Sequence, residues 1–208
     1  VAVDCDVDAS NLHLVFSPVW ENKYSFISGS YAVVNKELCV KCGRCSQICS
    51  FDAIQIANDF PVINEISCDG CQLCARECPV SAIKMENNDK SCIYIGNTKY
   101  GNLVSGRLAP GEENSGKMVN ELRQLSRDIA DRDHSDIIIL DGPPGIGCAV
   151  ISTIIGVDKI VVVTEPSISG FLDLKRVVLL LHHYDIPIYL IINKYTLNYE
   201  ISSKIIHW

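Results

Sequence analysis

The sequence predicts an α/β protein, a mostly parallel, doubly wound sheet with a small α+β module inserted into it. Three observations carry this prediction. Solid Ile/Val runs alternate with helical patterns, which is how strands buried on both faces of a parallel sheet read. Polar residues cluster just after those strands, at the edge where open α/β sheets bind ligands. And one segment breaks the pattern, because eight of the eleven cysteines fall between Cys39 and Cys78.

The elements follow in order. Val1–Val3 is an apolar strand that ends in Asp4-Cys5-Asp6-Val7-Asp8. Ala53–Ile56, Pro61–Ile63 and Ala82–Met85 are short alternating runs that read as small strands inside the cysteine-rich module. Met118, Leu122, Leu125 and Ile129 recur at helical spacing and predict a helix over 117–131 with one apolar face. Asp136–Leu140, Lys159–Val163 and Pro187–Ile192 are buried strands, with a helix over Gly170–His183 between the last two. His182 and His183 close that helix, where a cation complements the dipole. Lys117 reads as a solvated lysine at a helix start, because no glycine-rich phosphate loop frames it.

The composition excludes several classes. The chain has 208 residues, 48% hydrophobic and 21% charged, with a net charge of −7. These are values of a folded protein, not of a disordered or collagen-like one. The acidic balance argues against nucleic acid as the main partner. No run approaches the ~18 apolar residues that span a bilayer, so no integral membrane segment is expected. The compartment expected is the cytosol, where thiols stay reduced and clustered cysteines serve metal or redox chemistry. The chain opens on an apolar strand without Met, which reads as something missing upstream.

The cysteines form two sets, Cys39, Cys42, Cys45, Cys49 and Cys68, Cys71, Cys74, Cys78. Each reads C-x2-C-x2-C-x3-C, and the sets are offset by 29 residues as an internal repeat that also pairs Ala53 with Ala82 and Ile54 with Ile83. Three cysteines two residues apart wrap three corners of a cubane cluster, and the fourth reaches the other cluster. Cys39, Cys42, Cys45 and Cys78 are therefore expected to hold one 4Fe-4S cluster, and Cys68, Cys71, Cys74 and Cys49 the second. Pro79 follows Cys78 as in bacterial ferredoxins, whereas Ser50 follows Cys49. Structural zinc uses pairs separated by a longer stretch, and a disulfide framework does not suit the compartment. Cys5, Cys92 and Cys148 are isolated and read as packing residues. The module spans about residues 31–87 and carries 5 basic and 7 acidic residues, so it is not read as a basic docking patch.

In order along the chain stand VAVDCDVDASNL, the two cysteine sets, APGEENSGKMV, IIILDGPPGIGCAVI, VVVTEPSISGFLDLKRV and IINK. This order resembles the MinD/ParA/Mrp group of deviant P-loop ATPases, and within it the MinD-superfamily ATPases with an inserted ferredoxin domain. The resemblance implies that residues 1–30 and 88–208 form a nucleotide-binding α/β domain and residues 31–87 the inserted ferredoxin domain. It assigns Asp6 to the attacking water and Asp4 to the magnesium shell. Asp141 matches the Walker B aspartate, and Gly142 through Gly145 to Gly147 the loop that senses the γ-phosphate. Asn193 matches the adenine-contacting residue, with Glu165 beside the base. Mg²⁺ at a strand end beside phosphates wants one or two carboxylates. Read without the resemblance, Asp4 and Asp8 are also candidates for capping the next turn or helix.

The family's glycine-rich phosphate loop has no counterpart in the chain. The chain is therefore read as the middle of a longer ATPase, and as itself unable to bind or hydrolyse ATP well. The function implied is nucleotide-linked electron transfer to a partner protein, with two 4Fe-4S clusters and, in the full-length protein, ATP and Mg²⁺. The alternatives are a cluster carrier or assembly ATPase of the Mrp kind, and a plain ferredoxin-type carrier with a vestigial nucleotide site. The partners implied are a redox or iron–sulfur acceptor protein and, by the family pattern, a second copy in a homodimer.

Overall fold

The structure, a computed structural model, describes residues 1–208. β1 (Ala2–Asp4) is the centre of the body. It pairs in parallel with β8 (Gly101–Arg107) on one side and with β9 (Ile139–Asp141) on the other. β10 (Ile160–Thr164) and β11 (Ile188–Ile192) form a second parallel pair. The fold is thus mixed α/β with a largely parallel central sheet.

An antiparallel arm extends the sheet. β2 (Val19–Phe26) pairs with β7 (Ser91–Thr98), and β7 pairs with β8. The five-stranded order is β2-β7-β8-β1-β9. The arm was not expected from the sequence, and the reason is its composition. β2 carries Glu21, Asn22 and Lys23, and only Phe26 of the strand is buried.

The core lies between this sheet and α4 (Ser115–Arg132). Met118, Val119, Leu122 and Ile129 of α4 meet Val3, Cys5, Ile93 and Val104. Each fully buried aliphatic contributes about 1.5–3 kcal/mol. α4 can approach closely because β8 carries Gly106, where a Cβ would stand 2.7 Å from the Met118 sulfur. α5 (Cys148–Ile154) packs beside α4. The buried Arg123 donates to the carbonyls of Ser152 and Ile155, satisfying the C-terminal end of α5. α6 (Ile168–Leu181) lies on β10 and α7 (Tyr199–His207) on α6. His182 is the C-cap of α6, as the sequence predicts.

Two expectations need correction. The sheet was expected to be covered on both faces, yet Ile139, Val161, Val163 and Ile191 are all exposed. And the strand predicted over Asp136–Leu140 is only the three residues Ile139–Asp141.

Between β2 and β7 the chain builds the module. β3 (Gly29–Val34) pairs with β6 (Ile83–Asn88), and β4 (Ile54–Ala57) with β5 (Phe60–Ile63). α2 (Arg44–Gln47) and α3 (Leu73–Arg76) are one turn each. The 29-residue repeat is visible in the backbone. Asn35 N–H donates to the Ala82 carbonyl, and its counterpart Asn64 N–H to the Ala53 carbonyl. The Asn35 and Asn64 side chains accept from Glu37 N–H and Ile66 N–H, two residues on in each case. The first strand of each repeat pairs with the second strand of the other, so the two halves are interlocked.

Candidate cluster sites and the acidic strand edge

The loops that present the cysteines use the left-handed region of the backbone at matched positions. Lys41 and Gly70 have φ of 59° and 69°, Gly43 and Gln72 72° and 65°, and Asp52 and Ser81 50° and 51°. Each pair is one repeat apart. Outside glycine this conformation costs roughly 1–2 kcal/mol per residue, and it persists where the surroundings over-determine it. Left-handed residues at these points bend each loop into a concave turn, and N–H groups facing such a concavity suit an anionic guest.

That concave side is lined by cysteines in two places. A cavity of about 360 Å³ is bordered by Cys39, Cys42, Cys45 and Cys78. A second, of about 20 Å³, is bordered by Cys49, Cys68, Cys71 and Cys74. Each set holds three cysteines of one motif and the last cysteine of the other. Phe51, Leu73 and Met85 also line the second cavity. Cys42 and Cys71 are exposed, and Cys74 is buried. Burial raises the Cys45 and Cys74 thiols above their ordinary range, and neighbouring cysteines add to this. Anything that binds these sulfurs as thiolates must displace protons. Eight soft donors in apolar surroundings are the donor set of iron–sulfur chemistry.

The second candidate site is the C-terminal edge of β1 and β9. Asp4 and Asp141 are register partners at that edge. Asp4 is 1% exposed and its oxygens are already engaged. It accepts from the Ser10 hydroxyl and the Leu12 N–H, both at 2.9 Å, and from Asp6 N–H at 3.3 Å. Leu12 opens α1 (Leu12–Phe16), whose N-cap Asn11 makes no side-chain bond. Asp4 therefore caps that helix from a distance, one of the two roles the sequence left open for it. Asp8 is exposed and makes no such bond. The carboxyl of Asp141 is pushed up, first by burial, then by the negative charges of Asp4 and Asp6. The three acids are neighbours, but no three ligands converge tightly enough to hold a single metal ion. Gly142 to Gly147 connect β9 to α5, with Gly145 in the left-handed region at φ 95°.

Glu165 and Asn193 meet at the corresponding edge of β10 and β11. Asn193 N–H donates to the Thr164 carbonyl at 2.8 Å, and Glu165 pairs with Lys194 at 2.6 Å. Lys117 is exposed in the first turn of α4, as the sequence predicts. Its ammonium donates to the Ile27 carbonyl at 3.2 Å and lies over the Phe26 ring.

The raised Asp141 value gives an expected result. An acid whose folded-state value is raised costs the folded state stability once it ionises. The cost is absent below the ordinary carboxylate range and grows as pH rises through the raised value. Asp141→Asn should therefore raise the melting temperature at pH 7–8 by about 1–3 °C and leave it unchanged near pH 3. A thermal melt at the two pH values checks it, and a lowered melting temperature at pH 8 would contradict it.

The three remaining cysteines differ among themselves. Cys5 is fully buried in the core, and burial pushes its thiol up to about 12. Cys92 is half-buried and Cys148 exposed, so packing does not account for Cys148. Iodoacetamide at pH 8 should label Cys148 and spare Cys5 until the protein is unfolded. Peptide mass mapping reads the outcome, and labelling of native Cys5 would refute its placement.

Residues 32–85 match the 4Fe-4S dicluster domain. The protein MJ0578 of Methanocaldococcus jannaschii is 35% identical over 198 residues, which is 95% of this chain and 68% of that protein. The chain belongs to the MJ0578 family. A second protein of that organism, MJ0579, is 31% identical over 105 residues, 50% of this chain and 37% of that protein. Two solved structures are similar. One is the cell division ATPase MinD of Pyrococcus furiosus, at TM-score 0.45 and 15% identity over 99% of this chain. The other is MinD of Pyrococcus horikoshii complexed with Mg-ADP, at TM-score 0.46 and 16% identity over 98% of this chain. The chain spans 65% and 63% of those two structures. Within the MJ0578 family, the dicluster domain makes this chain an iron–sulfur protein. No helix of it is long and apolar enough to cross a membrane.

Proposed function

We propose that the chain carries two 4Fe-4S clusters on a nucleotide-binding body and passes single electrons to a partner protein in the cytosol. The observation that carries this reading is the composition of the two cavities, each lined by three cysteines of one motif and the fourth of the other. In this reading Cys39, Cys42, Cys45 and Cys78 hold one cluster, and Cys68, Cys71, Cys74 and Cys49 the other. A bound 4Fe-4S cluster supplies one-electron redox chemistry. The chain's own contribution is to hold the sulfurs as thiolates, to aim backbone N–H groups inward, and to keep water away with residues such as Phe51, Ile54 and Ile83.

The nucleotide half of the proposal rests on the two strand edges. Asp141 and Asp4 stand where a hydrated Mg²⁺ would meet carboxylates. Asp6 lies nearby as the acid for the attacking water, and Gly142–Gly147 form a loop able to reset when a phosphate leaves. Glu165 and Asn193 would contact the base. Full-length protein should hydrolyse ATP, and Asp141→Ala should abolish turnover while all iron is kept. Absence of ATP binding by cluster-loaded full-length protein would defeat the nucleotide half alone.

The exposure of Cys42 and Cys71 favours one alternative, that iron leaves the protein for an acceptor. Incubation with an apo-acceptor separates the two. A carrier of electrons keeps its iron, and a carrier of clusters loses it.

A further inference from the structure

We infer that Glu112 is the positioning residue that locks the cluster module to the α/β body. The chain leaves the body after Phe26 and returns at Ser91. Ser28 on the outward crossing, and Asn88 and Ser91 on the return, are buried. The crossings bond each other, Ser28 N–H donating to the Asn88 carbonyl at 3.2 Å. Glu112 lies between β8 and α4 and grips both. One carboxylate oxygen accepts from the Ser28 hydroxyl and the other from the Asn88 side-chain amide. Hydrogen bonds to a carboxylate are about twice as strong as neutral ones.

The same segment and the first turn of α4 make three more bonds to the crossings. Asn114 donates its side-chain amide to the Ser28 carbonyl at 2.5 Å. Lys117 donates to the Ile27 carbonyl, and Ala109 N–H to the Ser91 hydroxyl at 3.0 Å. A loop that touched one crossing would leave the module free to swivel about it. This one holds both, and Glu112 is the one side chain that grips the two crossings at once.

The joint also sets which cysteine loop faces the body. A Cβ at Gly111, which has φ +80°, would stand 2.7 Å from a methyl carbon of Ile66, just ahead of Cys68. Glu65 pairs with Lys90 on the return crossing. The first loop has no such tie, since its Lys41 and Arg44 pair with Asp59 and Glu77 inside the module. The second loop is thus turned towards the body and the first away from it. β8, which leads into the joint, also carries Ser105, linked through the Ser10 hydroxyl to Asp4. The acidic edge and the module therefore share one connecting segment, and its use as a coupling between nucleotide and clusters rests on the function proposed above.

Hydrogen exchange on the iron-loaded full chain tests the joint. In Glu112→Ala, amides at 27–28 and 88–91 should exchange at least about tenfold faster, with α6 and iron content unchanged. Glu112→Gln keeps an acceptor oxygen and should fall between. A second readout uses a nitroxide on the exposed Cys148 and pulsed EPR distances to the reduced clusters. The Ala variant should widen that distribution at least about twofold, and the Gln variant less. Unchanged exchange at the crossings, or equal acceleration throughout the body, would overturn the inference. Wild-type protein that forms no clusters would defeat the proposed function, whereas cluster-loaded protein with unchanged exchange at the crossings would defeat the joint alone.

Discussion

Replacing Cys39 and Cys78 together by alanine should remove one cluster, leaving about four of about eight irons per chain. Replacing Cys39 and Cys49 together should remove both. The two pairs distinguish crossed from uncrossed ligation, because Cys39 and Cys49 belong to one motif while Cys78 comes from the other. In the structure Cys78 lines the cavity of Cys39, Cys42 and Cys45, and Cys49 lines that of Cys68, Cys71 and Cys74. The crossing follows from the strand pairing. β3 pairs with β6 and β4 with β5, so the helix end of each repeat is carried across to the loop of the other. Iron analysis with EPR of the reduced protein reads the result. The opposite pattern, with iron lost wholly from the first pair and half from the second, would refute the assignment.

The grouping of the cysteines was legible in the sequence because it is local. C-x2-C-x2-C brings three cysteines to one cavity within a single turn of chain, and the repeat brings the last cysteine of the other motif beside them. The strand edges were legible for a related reason, since Asp4 and Asp141 each end a short apolar run that pairs in register. What the sequence did not reveal is non-local or polar. β2 reads as a charged segment and becomes a strand only because β7 offers it a partner. Glu112 matches no motif, and its role exists only because Ser28 and Asn88, sixty residues apart, return to the same place. The engagement of Asp4 with Leu12 likewise depends on how the chain turns after β1.

Removal of iron should unfold the module and spare the body. The module's buried apolar side chains are few and mostly small, namely Ala32, Ala53, Ile54, Pro61, Cys74, Ala82 and Ile83, and half of the residues packed around its core cluster are other cysteines. Its helices α2 and α3 have four residues each, far below the ~12–15 at which an isolated helix is even marginal. The left-handed residues Lys41, Gln72, Asp52 and Ser81 add strain that something must offset. A core this small needs a staple, and metal binding supplies folding free energy directly. The body has its own thirteen-residue buried cluster and does not depend on the module for it. Chelation under reducing conditions should therefore open residues 31–87 to protease while α4 and β1 stay resistant. Raising the pH should deepen the effect. Burial raises the Cys45 and Cys74 thiols in the folded module, so ionised thiolates cost it stability above their ordinary range. The penalty is absent well below that range and grows as pH rises through the raised values. Limited proteolysis with mass mapping, at neutral pH and near pH 9.5, gives the measurement. An iron-free module that stays protease-resistant at both would show that the protein core alone sustains the interlocked repeat.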